Sequence, residues 1–404
     1  PENPEKESTI EHAYEFIGWK LIKEGTAEDN IIEDTSNLTV TGNAEYIATY
    51  REEDIRYNFI YYNDDGEEVV ARIDGYTFGN KLEIPTSATK EPTDTIKYTF
   101  KSWDMIGMED ISKTEKNVKF KATYKEEYFV ARLEETDTLE GKSYMTLQEA
   151  IDAAGEEART VKLLRDTEES VLVDDVQNIT IDLNGKTVTG SKTGIKAYAV
   201  KNYGILEIID TTEEKNGKIQ ESARGKTGYG IYNISVIDSN ISNVTISKTD
   251  YGIYNSQGNL TVKNVNITAK CGIKMQASDY KVAIESANIV GKTYGINCTY
   301  GTVEIGIKDG KINETQPNIY GETNAIYNDL ISTGKVKYYD GILIGNMVIY
   351  GGINEIEDNT QIVVSTNSDN KEVAKLENVV AEESVVKVGD TTYPTLAEAV
   401  DAVK

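Results

Sequence analysis

Histidine is almost missing from this chain. Its one residue, His12, stands near the start of the 404-residue sequence. Acid–base catalysis by histidine is therefore excluded from everything downstream. Cysteine is nearly as scarce: Cys271 and Cys298 are the only two, and proline contributes six residues. Basic residues are outnumbered, 42 Lys and Arg against 68 Asp and Glu, for a net charge of −26. A surface so acidic repels nucleic acid and anionic membranes, so neither is expected as a partner. No apolar run is long enough to span a bilayer, and no membrane insertion is expected. Apolar residues make up 39% of the chain, which is low for compact domains and suits a thin, elongated one.

Asn, Thr, Gly, Ile and Val are abundant, a composition of strands joined by tight turns. Tyr-Gly-Ile-Tyr-Asn occurs at 229–233 and again at 251–255. Altered copies read Tyr198-Ala-Val-Lys-Asn202, Cys271-Gly-Ile-Lys-Met275, Tyr294-Gly-Ile-Asn-Cys298 and Asn324-Ala-Ile-Tyr-Asn328. Copies begin 31, 22, 20, 23 and 30 residues apart. A period near 22 with insertions predicts a solenoid whose repeats stack on one another. Coils are expected to begin near Thr160, Asn178, Ile205, Val236, Asn259, Lys281, Thr302, Ile331 and Gln361.

Period-two geometry sends Ile231, Ile253, Ile273, Ile296 and Ile326 inward, with Tyr232, Tyr254, Lys274, Asn297 and Tyr327 outward. Asn202, Asn233, Asn255 and Asn328 share one position, where stacked amides would form a ladder. Cys271 and Cys298 occupy different positions of neighbouring copies, too far apart for a disulfide.

Met145-Thr-Leu-Gln-Glu-Ala-Ile-Asp-Ala-Ala154 predicts a helix over 145–154. Thr146 and Glu149 have capping-box spacing, and Leu147, Ala150, Ile151 and Ala154 make one apolar stripe. Such a helix would cover the open end of the first coil. Pro394-Thr-Leu-Ala-Glu-Ala-Val-Asp-Ala-Val403 repeats it 249 residues on, so 386–404 is expected to open a second such module. With Pro-Glu-Asn-Pro at the start, both ends are expected to lie inside a longer protein.

Residues 1–19 and 85–103 align at an offset of 84: Pro1, Lys6, Glu7, Tyr14, Phe16 and Trp19 match Pro85, Lys90, Glu91, Tyr98, Phe100 and Trp103. Glu45-Tyr-Ile-Ala-Thr-Tyr50 matches Lys119-Phe-Lys-Ala-Thr-Tyr124 at an offset of 74, so the first copy carries ten extra residues. The second copy also has an opening hairpin, turning at Asn63-Asp-Asp-Gly66. That acidic stretch reads as a hairpin turn, with a calcium loop as the other reading.

The pattern Pro…Lys-Glu…Tyr-x-Phe-x-Gly/Ser-Trp, closing on Ala-Thr-Tyr, resembles the Listeria–Bacteroides (internalin B-type) repeat. Ser102 stands where Gly18 keeps the usual glycine. The resemblance implies small β-grasp-like spacer modules of bacterial surface proteins. Gly141-Lys-Ser-Tyr…Ala154 followed by Ile179-Thr-Ile-Asp-Leu-Asn-Gly-Lys-Thr-Val-Thr189 resembles the pectate-lyase-like right-handed parallel β-helix.

The expected fold is thus mainly β: a partial repeat over 1–53, a complete one over 54–130, and a β-helix over 131–385. These resemblances imply an extracellular module of a bacterial cell surface or wall; a non-enzymatic stalk or adhesin is expected, monomeric, with a host surface protein or glycan as partner. Near-absence of cysteine is compatible with export from a Gram-positive cell.

Polysaccharide cleavage is the competing expectation. The Gly-His-Gly element of polygalacturonases is missing, and Asp174-Asp175 reads as a turn. A lyase would need clustered carboxylates, with calcium, beside a basic side chain. Asp210, Asp238 and Asp250, with Arg224 in the insertion 211–228, are the candidates. Tyr232 and Tyr254 are the candidates for stacking on sugars, their other role being cross-strand packing. No metal site and no cofactor other than calcium is expected.

Overall fold

The computed structural model describes residues 2–39, 41–191, 197–221, 227–312, 317–329, 331, 333–379, 386–393 and 395–404. The chain is mainly β and divides into two compact units, Pro1–Tyr128 and Phe129–Lys404.

The first unit holds both sequence copies. In the first, β1 (His12–Lys23) pairs antiparallel with β2 (Thr26–Ala27) and with β3 (Glu45–Asp54). In the second, β4 (Arg56–Tyr62), β5 (Val69–Tyr76), β6 (Ile96–Ser112) and β7 (Glu115–Tyr128) form a sheet ordered β5-β4-β7-β6. The aligned residues make the same pairings. Phe16 opposes Tyr50 and Trp19 opposes Ala48, as Phe100 opposes Tyr124 and Trp103 opposes Ala122. A bulge falls at the same place in each, after Phe16 and after Phe100.

Gly18, at φ +140°, leaves room for the extra residues of the first copy. A Cβ there would lie 2.6 Å from the Ile32 carbonyl oxygen, and Ile32 bridges to Trp19. Asn63-Asp-Asp-Gly66 is a turn, with Gly66 at φ +82° and its amide donating to Asn63 Oδ1.

The second unit is built on a 23-stranded sheet in which three long parallel ladders can be followed. One runs Val161, Ile181, Ile208, Ile241, Val262, Ile284, Ile305, Tyr338. A second runs Val188, Ile219, Ile246, Ile267, Ile289, Ile319, Leu343. The third runs Val200, Ile231, Ile253, Ile273, Ile296, Ile326. Every one of these side chains is buried, and together they make one apolar core.

The repeated glycine has a steric cause. A Cβ on Gly252 would meet Ile267 Cγ2 at 2.3 Å and the Gly272 carbonyl at 2.6 Å. In the same motif Asn202 Nδ2 donates to Asn233 Oδ1 at 2.8 Å, and Asn233 Nδ2 donates to Asn255 Oδ1 at 2.7 Å. The amide row stops there. Met275 and Cys298 take the next two places, so Asn328 stands apart from it.

Helix α1 (Leu147–Ala154) closes the start of the sheet. Thr146 is its N-cap, the capping box with Glu149 is formed, and all four stripe residues are buried. Glu169 accepts from the Leu147 and Gln148 amides at 2.7 and 3.1 Å. The Gln148 amide pairs with the backbone of Leu172, accepting from its N–H at 2.7 Å and donating to its carbonyl at 3.0 Å. It thereby satisfies a strand edge.

At the far end the structure departs from the sequence reading. Thr360–Thr366 and Glu372–Asn378 form an antiparallel hairpin, the latter strand also pairing antiparallel with Ile342–Gly345, so no coil begins at Gln361. Ile331 is 95% exposed, and the strand expected there starts at Lys335. Beyond it a small hairpin, Val386–Val388 with Thr391–Tyr393, precedes α2 (Leu396–Asp401). No described helix is long and apolar enough to cross a membrane.

Candidate functional site

The corner between the second and third ladders carries a cleft of about 500 Å³. Its wall includes Glu221, Thr249, Asp250, Lys248, Lys270 and Lys292. The local backbone makes it: the parallel register slips between Ser247 and Thr249, leaving Lys248 as a bulged residue at φ +56°. Lys248, Lys270 and Lys292 are exposed, and none of their side chains forms an ion pair or hydrogen bond among the described residues. Glu221 is 2% exposed. Thr249 Oγ1 is buried without a hydrogen-bond partner among the described residues. A smaller cleft of about 160 Å³ adjoins this one and shares Asp250 and Lys270, adding Tyr251 and Tyr294 to the lining.

The sequence candidates separate. Asp210 is buried and committed to the fold. It accepts from the Gly185, Thr212 and Gly217 amides at 3.1, 3.0 and 2.5 Å, and from Thr212 Oγ1 at 2.7 Å. Burial pushes its carboxyl up, but those hydrogen bonds outweigh it and hold the group below the usual carboxylate range. Asp238 is exposed and accepts from Asn259 Nδ2 at 2.9 Å. Asp250 alone of the three lines the cleft, and its Oδ2 accepts from the Gly228 amide at 2.8 Å. Arg224 lies outside the described residues.

Tyr232 and Tyr254 are register partners, as the motif requires, but they are half-buried instead of exposed. Tyr229 stacks on Tyr232 at 5.0 Å and on Tyr251 at 5.5 Å, while Tyr254 sets its ring at nearly right angles to all three. The four rings largely cover one another. Burial pushes the Tyr229 hydroxyl up to about 12 and raises those of Tyr251 and Tyr254.

Next along the row, Lys274 donates to Asn297 Oδ1 at 2.7 Å and bonds Thr299 Oγ1, and burial lowers its ammonium pKa. Cys271 and Cys298 are free, buried thiols, pushed by burial up to about 12 and about 11, and so remain protonated.

Sequence reasoning missed Glu221, Thr249 and the lysines. For the lysines a signal was present, since 248, 270 and 292 are spaced by the repeat period of 22. No group of three or more His, Cys, Asp or Glu among the described residues has the arrangement of a metal site. No protein-family model, curated protein or solved structure matches this chain.

Proposed function

We propose that the second unit is a right-handed parallel β-helix, displayed outside a bacterial cell behind Listeria–Bacteroides-type β-grasp repeats, and that it binds without catalysing. The ladders support the helix, because equivalent residues of successive copies pair in parallel along each. Parallel crossovers are right-handed in nearly all proteins. A host glycan or surface protein would be engaged at the corner cleft, by a monomer.

The observation carrying this reading is the row Lys248, Lys270 and Lys292: three exposed cations without ion-pair partners among the described residues, on a chain of net charge −26. Cations left without partners on so acidic a surface suit a ligand that supplies the negative or polar groups. Tyr251 and Tyr294 line the adjoining smaller cleft.

Cleavage of a polysaccharide is the second reading, favoured by two carboxylates, Glu221 and Asp250, on one cleft. One assay separates the two: a glycan panel scored for binding and for released chain ends, with and without calcium. Binding without turnover is expected, weakened about tenfold by Lys270→Ala with Lys292→Ala. Turnover abolished by Glu221→Gln or Asp250→Asn would replace the binding reading with the enzymatic one.

A further inference from the structure

The lysines of the corner cleft stand in a particular order on the sheet. Thr249, Ala269 and Gly291 are successive partners on neighbouring parallel strands, as are Tyr251, Cys271 and Tyr294. Asp250 therefore lies one strand before Lys270, and Lys270 one strand before Lys292. On the next strand Gly321 pairs with Gly291 and Asn324 with Tyr294, which brings Glu322 beside Lys292. Neighbouring strands lie about 4.8 Å apart. Lys270 and Lys292 thus leave adjacent strands as like charges side by side, an arrangement that is unfavourable on its own.

A carboxylate flanks this pair on each side, and neither is spent on it. Asp250 Oδ2 accepts from the Gly228 amide at 2.8 Å. Glu322 pairs with Lys371 at 3.1 Å and accepts from the Tyr320 hydroxyl. Lys270 and Lys292 stay exposed, with no ion pair to either among the described residues. Lys248, bulged just ahead of Thr249, adds a third cation to the same lining.

The kind of cation is informative. Lysines line the two adjoining clefts, and no arginine does among the described residues. Arginine presents a planar fork that matches a carboxylate, whereas lysine acts as a point charge and serves tetrahedral oxyanions such as phosphate. Beside the cations, Thr249 is 8% exposed, and its Oγ1 has no hydrogen-bond partner among the described residues. A buried hydroxyl left so gains from a ligand that supplies a hydrogen bond.

We propose that the cleft takes a sugar bearing a tetrahedral oxyanion, a sulfate or phosphate ester, seated across Lys270 and Lys292 with ring hydroxyls at Thr249 and Asp250. This rests on the binding reading above and narrows its ligand to one class. A chain of net charge −26 repels polyanions at large, so attraction of such a sugar has to be local to these lysines.

The experiment uses one neutral polymer, dextran, in four forms: unmodified, sulfated, phosphorylated and carboxymethylated, the last three at matched substitution. Titration calorimetry of the full chain measures each at one salt concentration. At least one ester form is expected to bind about ten times more tightly than the carboxymethylated form, and Lys270→Gln with Lys292→Gln should weaken it about tenfold. The two ester arms tell sulfate from phosphate, and binding of either sustains the proposal. Lys270→Arg with Lys292→Arg keeps both charges but supplies planar forks, and should narrow the gap between ester and carboxylate. Carboxymethyl-dextran binding as tightly as the esters, ester binding unchanged in the Gln variant, or no binding of either ester would overturn the proposal. The broader reading fails separately. If an ester-free glycan binds and is weakened by Lys270→Ala with Lys292→Ala, the cleft is still a glycan site, and only the choice of ester falls.

Discussion

In α1 the side chains of Leu147, Ala150, Ile151 and Ala154 are buried, whereas the matching Leu396 and Val400 of α2 and Val403 just after it are 66%, 48% and 63% exposed, and only Ala399 is buried. Their local signals are nearly the same. Thr146 and Thr395 have the same N-cap conformation, and each accepts from the amide of the glutamate three residues on, at 3.1 and 3.2 Å. What differs is the ground beneath them. α1 lies on the first strands of a large sheet, while α2 contacts the two short strands before it. Capping and periodicity determine that a helix forms; the apolar surface it meets determines how much it contributes to stability.

Replacing the matching core residues should give the widest separation. Ile151→Ala removes a fully buried side chain and should destabilise the second unit by about 2–5 kcal/mol in urea unfolding. Val400→Ala should change stability by no more than about 0.5 kcal/mol. Equal losses at the two sites would show that burial is not the difference between the helices.

A smaller effect should come from Gln148, whose place in α2 is taken by Ala397. Gln148→Ala strands the N–H and carbonyl of Leu172 without their present partners. Leaving such groups unsatisfied costs about 1–3 kcal/mol. α2 contacts the small hairpin before it and not the large sheet, so Ala397→Gln should leave the unfolding midpoint in place. A stabilising Ala397→Gln would mean that α2 covers an edge as α1 does.

Much of this was legible in the sequence, because repetition and alternation are local. The isoleucine column, the asparagine row as far as Asn255 and the α1 cap all follow from spacing. The errors share a cause, in that spacing says where a side chain points and not what stands beside it. Tyr232 and Tyr254 do leave the core, but their neighbours Tyr229 and Tyr251 cover them. The β-branched run Ile362-Val363-Val364 marks a strand and is silent on its direction, which proved antiparallel. Asn328 shares the motif position, yet Met275 and Cys298 interrupt the amide contacts that would reach it. At the cleft, the 22-residue spacing of the lysines was visible. The inclusion of Glu221 and Thr249 depends on a bulge at Lys248, which the pattern of residue types does not encode.

The smallest difference concerns the caps themselves. Thr146→Ala takes away one acceptor from the first turn of α1, but that turn holds others. Glu149 Oε2 still accepts from the residue-146 amide at 3.2 Å, and Glu169 still takes the Leu147 and Gln148 amides. The loss should therefore fall near the lower end of the ordinary range for an N-cap, about 0.5–1 kcal/mol. In α2 the Thr395 hydroxyl is the only side-chain acceptor in contact with a first-turn amide among the described residues. Thr395→Ala should accordingly quicken hydrogen exchange at the amides of residues 396–398 while leaving global unfolding unmoved, since little core depends on that turn. If Thr395→Ala lowered the unfolding midpoint as far as Thr146→Ala, α2 would have to be packed on the large sheet in solution, and the contrast between the two helices would be lost.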